Sequence, residues 1–281
     1  MKPLREAEFR GIAAIALAEA GLHLPAGKEV FVASRLQRRL RATGLADFAA
    51  YLGVLTSRTT EAQTERKELI SALTTNVTGA FRESHHFEAL AEMLRRVSPL
   101  EPQTERFLRI WSAGCSSGEE ALSIAATCLA VRGPVWSRQI RILATDIDPH
   151  VLAAAAARTE DRTLLDQLRA GAAQFGARAE GLDRMNLADL GSAITYMRHN
   201  LLDPLPVTTP FDVIFCRNVT IYFAPTIQRE VHARLQALLA PGGLLAIGHS
   251  ERLHSPDPGI RLVGTTTYMK QSKAEGLSEW R

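Results

Sequence analysis

"FLRIWSAGCSSGEEALSIAATCLAV", residues 107–131, changes structural grammar twice within one stretch. "FLRIWSA" is a short apolar run. It ends in a loop of glycine, serine and one cysteine, and "GEEALSIAATCLAV" (118–131) then spaces its apolar residues as a helix does. The same unit recurs downstream. "IRILATDID" (140–148) is a buried strand followed by a helix, "PHVLAAAAAR". "FDVIFCRN" (211–218) is another strand. "QREVHARLQALLAPGG" (228–243) reads as a helix with a Pro-Gly-Gly stop, and "LLAIGHS" (244–250) as a fourth strand. "LVGTTTYMKQ" (262–271) alternates in a way that suits a sheet edge. Strands alternating with helices imply right-handed crossovers and a mostly parallel sheet. Continuous apolar strands imply a sheet covered on both faces, so the fold class is α/β.

Upstream, the pattern is helical throughout. "LREAEFRGIAAIALAEAGL", "KEVFVASRLQRRLRATG", "LADFAAYLGVL" and "TERKELISALT" carry helical spacing, with Gly21, Gly44 and Gly53 at or near their ends. This predicts a helical N-terminal domain over 1–75. A connecting segment and linker over 76–106 leads to an α/β domain over 107–275. Residues 94–106, with two prolines and mixed charge, read as linker. Residues 158–193 read as irregular or helical, with no clear strand.

The composition narrows the functional classes. Apolar residues make up 46% of the 281, enough for a sizeable core, and the net charge of +3 gives no general argument for a nucleic-acid partner. Cys115, Cys128 and Cys216 are far apart and odd in number, which suits a reducing compartment better than a disulfide framework. No CxxC or HExxH spacing offers a metal site. His85 and His86 would diverge by about 100° on a helix and read as surface or supporting residues. "GIAAIALAEA" (11–20) resembles a signal peptide, yet Glu6, Glu8 and Glu19 fit an amphipathic helix better. No apolar run is long enough to span a membrane, so a cytoplasmic protein is expected.

Ligands of open parallel sheets bind beyond the carboxyl ends of the strands. The first such end is "WSAGCSSGEE" (111–120). Its glycines are spaced G-x-x-x-G, and Glu119 and Glu120 at the helix start would repel a pyrophosphate. The loop suits a cationic ligand without phosphate, or its acids merely complement the helix dipole. The second end, "ATDID" (144–148), offers Asp146 as a ribose acceptor and Asp148 as an N-cap before Pro149. In "FCRNVTIYF" (215–223), Arg217 and Asn218 follow a buried strand directly, for a ligand or for a strand-end salt bridge. "HNLLDPLP" (199–206) carries Asn200 in what could be an ordinary turn. If "TTNVTGAFR" (74–82) folds over this mouth, Asn76 and Thr78 supply neutral hydrogen bonds and Arg82 can grip a carboxylate. An acid for a ribose, an arginine for a carboxylate and acids near a cation together describe S-adenosylmethionine.

"LTTNVTGAFRESHHF", "RIWSAGCSSGEEALSIA", "ILATDID", "NLLDP", "FDVIFCRNVTIYF" and "LLAPGGLLAIGHSE" occur in the order seen in CheR-type chemotaxis receptor methyltransferases, and the sequence resembles that family over about residues 10–270. The resemblance implies a Rossmann-like S-adenosylmethionine-dependent methyltransferase domain with a small all-α N-terminal domain. It implies transfer of a methyl group to glutamate side chains on the cytoplasmic helices of methyl-accepting chemoreceptors, with S-adenosylhomocysteine as by-product. By the same resemblance Asn76, Thr78 and Arg82 hold the amino-acid end of the cofactor, Glu119 contacts it from the glycine loop, and Asp146 takes the ribose. Asn200 and Leu201 flank the adenine, Arg217 and Asn218 complete the pocket, and Tyr222 lies near the methyl-transfer site. No metal is implied.

On a helical wheel of "KEVFVASRLQRRLRATG" (28–44), Lys28, Arg35, Arg38 and Arg39 share one face. Under the resemblance this face docks a glutamate-rich receptor helix; without it, a solvated face is the simpler reading. Many family members carry a small antiparallel subdomain with an R-G-T-G-like segment before the N-L-L motif. Here "LRAGAAQFGARAEGLDRMNLADL" lacks that pattern, so tethering to a receptor C-terminal peptide is not expected. A methyltransferase of the same fold with another substrate, and a non-catalytic cofactor-sensing module, stay open. "RNVT" stands where nucleic-acid amino methyltransferases often carry Asn/Asp-Pro-Pro-Tyr, which speaks against a nucleic-acid substrate.

Overall fold

The computed structural model describes residues 3–97, 107–134, 136–176, 181 and 183–272. Four helices come first: α1 (Glu6–Ala20), α2 (Glu29–Thr43), α3 (Phe48–Thr56) and α4 (Thr60–Leu73). Phe9, Ile12, Leu36, Tyr51, Leu55 and Leu69 fill their shared core. α1 and α2 stop at Gly21 (φ 70°) and Gly44 (φ 68°), left-handed positions where glycine carries no Cβ penalty. Gly53 instead lies inside α3, which ends before Ser57.

A further helix follows: α5 (His85–Arg96) occupies part of the stretch expected to be connecting segment and linker. His86, Phe87, Leu90, Ala91 and Leu94 are its buried face, at the i, i+4, i+8 spacing of an amphipathic helix. They pack into the core beneath the sheet, not into the N-terminal bundle.

Then come β1 (Leu108–Ala113), α6 (Glu119–Arg132), β2 (Ile140–Asp146), α7 (Pro149–Ala157), α8 (Arg162–Ala173), α9 (Leu187–Gly191), β3 (Ile194–Arg198), β4 (Phe211–Cys216), α10 (Pro225–Leu238), β5 (Leu239–Ile247), β6 (Ile260–Gly264) and β7 (Thr267–Lys270). The sheet order is β3-β2-β1-β4-β5-β7-β6. β1 pairs in parallel with both β2 and β4, and β7 runs antiparallel between β5 and β6. One face carries Ile110, Ile142 and Phe215 against α5, α6 and α8; the other carries Trp111, Ile214 and Ile247 against Val231 and Leu235 of α10.

Three expectations change. β3, "ITYMR", is a strand that the sequence reading missed; it is short, polar in part and pairs only with β2. The single edge strand expected at 262–271 is a hairpin, turning at Thr265 and Thr266, the latter at φ 47°. The helix expected to run to Gly243 ends at Leu238, and β5 starts at once and passes through Pro241–Gly243. A Cβ on Gly243 would lie 2.8 Å from the Asp212 carbonyl oxygen, so the pairing with β4 needs glycine there.

The bundle sits over the carboxyl ends of the strands. Ile147, just past β2, and Phe223, past β4, pack into the bundle's own core. Leu22 and Phe223 form an antiparallel bridge, with His23 N–H donating to the Tyr222 carbonyl at 2.8 Å. Asn200 Nδ2 donates to the Glu19 carbonyl at 2.8 Å.

Candidate active site

Strand order reverses between β1 and β4, which is where an open parallel sheet leaves a crevice. A cavity of about 330 Å³ lies there, bounded below by the strand ends and above by residues 20–31 and 73–82. Its volume is within the usual range for small-molecule sites.

The β1–α6 loop approaches it closely. Gly114 has φ 86°, and a Cβ on it would fall 2.3 Å from a Val219 methyl. Asp146 ends β2 and is buried. Its Oδ2 accepts from Ser116 N–H at 2.9 Å and its Oδ1 from Asp148 N–H at 3.0 Å. Burial pushes its carboxyl up, partly offset by these N–H donors. Its remaining lone pairs suit hydroxyl donors such as a ribose diol. Asp148 caps α7 through His150 N–H at 2.9 Å, with Pro149 behind it, and its other oxygen accepts from Asn76 Nδ2 at 2.9 Å.

Arg217 is buried at the end of β4. Its Nη1 lies 3.1 Å from Glu120 Oε2 and its Nη2 lies 3.4 Å from Glu83 Oε2; Nη2 also donates to the Arg82 carbonyl. Glu120 donates nothing and accepts from Ser112 Oγ at 2.6 Å; burial raises its pKa despite the arginine. Burial pushes Glu83 up too, yet Arg217, Asn218 and the His249 N–H outweigh it and hold the carboxyl below its usual value. Glu120 and Asp146 thus stand as acids on the cavity wall beside Arg217, with Glu83 behind the guanidinium.

The structure brings together Asn76, Thr78, Arg82, Asp146, Asn200, Leu201, Arg217, Asn218 and Tyr222 around this one cavity. Glu119 is not among the lining residues. Its Oε1 pairs with Arg158 at 2.6 Å, and Glu120, next in sequence, faces the cavity instead. The two are about 100° apart on α6, so one of them had to turn away. Arg39 likewise leaves the expected docking face: its fork clasps Glu65 at 2.6 Å and Glu68 at 3.0 Å inside the bundle. Arg35 and Arg38 are exposed, Arg35 lying over the Phe31 ring. The sequence reading missed Glu120, the wall supplied by Leu22, His23, Lys28 and Phe31, and Glu83, which lies behind the wall against Arg217. It also passed over Glu251, an acid just beyond the end of β5 that the strand-end rule used for Asp146 would have flagged.

Glu83, His85 and His86 place ligand atoms within 4.8 Å of one another. Arg217 and Asn218 already engage that carboxylate, and the histidines stand at the positive end of α5, so the local field opposes a cation. Burial holds His86 neutral, with a pKa down at about 3.

The residues present fit S-adenosylmethionine. Glu120 and Asp146 line the cavity and suit a cationic ligand, Arg82 lines it with Nη1 donating to the Val77 carbonyl at 3.0 Å and its other N–H groups able to meet a carboxylate, and Glu119 and Glu120 at the α6 N-terminus exclude a phosphate cradle. Sheet order, switch-point cavity and strand-end acid define a Rossmann-like S-adenosylmethionine-dependent methyltransferase. The family models agree: residues 7–74 match "CheR methyltransferase, all-alpha domain" and residues 76–269 match "CheR methyltransferase, SAM binding domain". The chain belongs to the CheR methyltransferase family. It is 40% identical over 271 residues to the chemotaxis protein methyltransferase of Salmonella typhimurium, covering 94% of this chain and 90% of that one. The Escherichia coli protein of the same name is also 40% identical over 271 residues, covering 94% and 91%. A probable chemotaxis protein methyltransferase of Rhizobium etli is 39% identical over 268 residues, covering 92% and 97%.

Proposed function

We propose that this chain transfers the methyl group of S-adenosylmethionine to the γ-carboxylate of glutamates on chemoreceptor cytoplasmic helices, leaving a methyl ester and S-adenosylhomocysteine. The observation that carries the reading is a change of sign across the cavity. Its floor holds Asp146 and Glu120, whereas its rim and the neighbouring face of α2 hold Lys28, Arg82, Arg35 and Arg38. A cationic cofactor suits the floor and an anionic acceptor suits the rim.

A glutamate side chain is already ionised at pH 7, so attack on the methyl group needs no general base. One carboxylate oxygen forms the C–O bond as the C–S bond breaks in line, and both charges vanish. The protein contributes alignment and exclusion of water. In this reading Asn76, Thr78 and Arg82 hold the amino-acid end, Asp146 the ribose, and Asn200 and Leu201 the adenine. Arg217 and Asn218 complete the wall, and Tyr222 borders the transfer point. The working division is a helical domain over 1–75, a cofactor-contacting segment over 76–106 and a methyltransferase domain over 107–275.

Among the described residues no helix is long and apolar enough to cross a membrane, and all three cysteines are buried free thiols, which supports a cytoplasmic enzyme reaching receptor helices from solution. α8 and α9 stand at the two ends of the interval where a peptide-binding sheet extension would stand, and its described residues form no strand, so no receptor tether is proposed. Micromolar calorimetric binding of a receptor C-terminal peptide would reverse that.

Incubating the protein with methyl-labelled cofactor and membranes carrying the organism's own receptors tests the reading. Label on receptor that base releases as methanol supports it. Label on another acceptor, or cofactor binding without transfer, overturns it. The double variant R35E/R38E should lose most receptor labelling and its salt dependence while binding S-adenosylhomocysteine as before.

A further inference from the structure

We infer that Glu251 is a positioning residue: its buried carboxylate shapes the β4–α10 loop so that Asn218 and Tyr222 face the cofactor cavity. The kinetic arm of this inference rests on the methyl-transfer reading; the structural arm does not.

Glu251 is 1% exposed, and among the described residues no Lys, Arg or His side chain forms an ion pair with it. A buried carboxylate without a cation needs a full set of donors. Glu251 has four. Its Oε2 accepts from Asn218 N–H at 2.9 Å and Gly248 N–H at 2.6 Å. Its Oε1 accepts from Ile221 N–H at 3.1 Å and from Thr220 Oγ1 at 2.7 Å. Three of the four come from the loop that bears Asn218 and Tyr222. The loop needs such a hold, because Asn218 is at φ 57°, a left-handed position that costs a non-glycine residue energy.

The surroundings are built around this carboxylate. A Cβ on Gly248 would lie 2.6 Å from Glu251 Oε2 and 2.6 Å from Asn218 N, so only glycine lets the two approach. Thr220 Oγ1 gives its one proton to Glu251 and therefore accepts from His232 Nε2, 3.0 Å away. That assigns the Nε2–H tautomer, and the other ring nitrogen, Nδ1, is the one without a partner. The order of donation runs His232 to Thr220 to Glu251, all buried. On its outer side the same loop is held by backbone bonds to the bundle, His23 N–H to Tyr222 O and Ala224 N–H to Gly21 O. Glu251 supplies the inner hold, and neither its carboxylate nor Thr220 lines the cavity.

E251Q is the discriminating variant. Whichever way the amide turns, its NH2 faces at least one backbone N–H that the carboxylate accepted. Hydrogen exchange in the S-adenosylhomocysteine complex should speed up at least about tenfold for the 217–223 peptide and stay as in the wild type for β1. kcat for receptor methylation should fall on the order of 10- to 100-fold, with a smaller change in KM for the receptor. T220V, which removes the hydroxyl link at nearly constant shape, should fall part of the way, and T220S should recover most of it. Unaltered exchange at 217–223 in E251Q overturns the inference. Should E251Q not fold, T220V with wild-type exchange and wild-type kcat overturns it equally. A wild-type protein that methylates no receptor refutes the proposed function instead, and the exchange result still decides the positioning role.

Discussion

Two arginines in this molecule are each clasped by two glutamates, and they do opposite things. Arg39 is closed. Its Nε and Nη2 fork both oxygens of Glu65 at 2.9 and 2.6 Å, Nη1 reaches Glu68 at 3.0 Å, and Tyr51 adds a 2.7 Å bond to the same Glu65. The hydrogen bond to Glu65 is the main cause that raises the Arg39 pKa, and burial followed by Glu65 raises that of Tyr51. Arg217 is open. Its carboxylates stand off at 3.1 and 3.4 Å, its Nε has no partner among the described residues, and it borders a cavity. A closed cluster has spent its donors on its own helices, whereas an open one keeps polarity facing a ligand. Arg39 ties α2 to α4; Arg217 lines the cavity with Glu120.

The comparison can be broken most forcefully at Arg217. R217A leaves the buried Glu120 and the half-buried Glu83 without a cation, which should cost about 3–5 kcal/mol of stability and abolish measurable S-adenosylhomocysteine binding. Denaturant midpoints and calorimetry read the two effects. D146N comes next. Its amide must face either the Ser116 or the Asp148 N–H, so affinity for S-adenosylhomocysteine should drop by about 1.5–3 kcal/mol, with the thermal midpoint lowered by less than in R217A. R39A should do the reverse: about 1–3 kcal/mol of stability lost, with cofactor-product affinity within about twofold of wild type. An R39A protein that folds normally but fails to bind would erase the distinction between the two clusters.

The remaining test is a pH dependence. Burial lowers the pKa of His86 to about 3 and that of His232 to about 4. Both folded values lie below the unfolded one near 6.5, so the unfolded chain binds more protons between them. Stability is therefore fully present above about pH 6.5 and falls as pH drops through the window, by up to about 1.4 kcal/mol per pH unit for each histidine. Urea midpoints at pH 7 and pH 5 should differ less in H232Q than in the wild type. An equal difference would mean His232 titrates normally.

The strands that the chain displays plainly are the central ones. β1, β2, β4 and β5 each carry a short apolar run (Ile110–Trp111, Ile142–Ala144, Val213–Cys216 and Leu244–Ile247) because both faces are covered there, and that pattern survives any detail of packing. Asp148 and Pro149 announced the start of α7 for an equally local reason. β3 escaped notice because an edge strand needs neither a continuous apolar run nor a turn signal; its register comes from β2. α5 fell within the stretch read as connecting segment and linker, because the prolines and mixed charge of 94–106 outweighed the apolar spacing of Phe87, Leu90 and Leu94.

Local chemistry thus sufficed for the α/β class, the helical N-terminal portion, and the placing of Asp146 and the polar segment at 76–82 at the cavity, since each depends on neighbours along the chain. Which of Glu119 and Glu120 faces the cavity, which arginines of α2 meet solvent, and what holds Asn218 and Tyr222 in place were settled by packing. Those answers turn on residues 26 to 135 positions apart: Arg39 with Glu65, Glu251 with Asn218, Glu119 with Arg158, and Arg217 with Glu120 and Arg82. No pattern of spacing along one chain encodes which distant partner a buried charge will find.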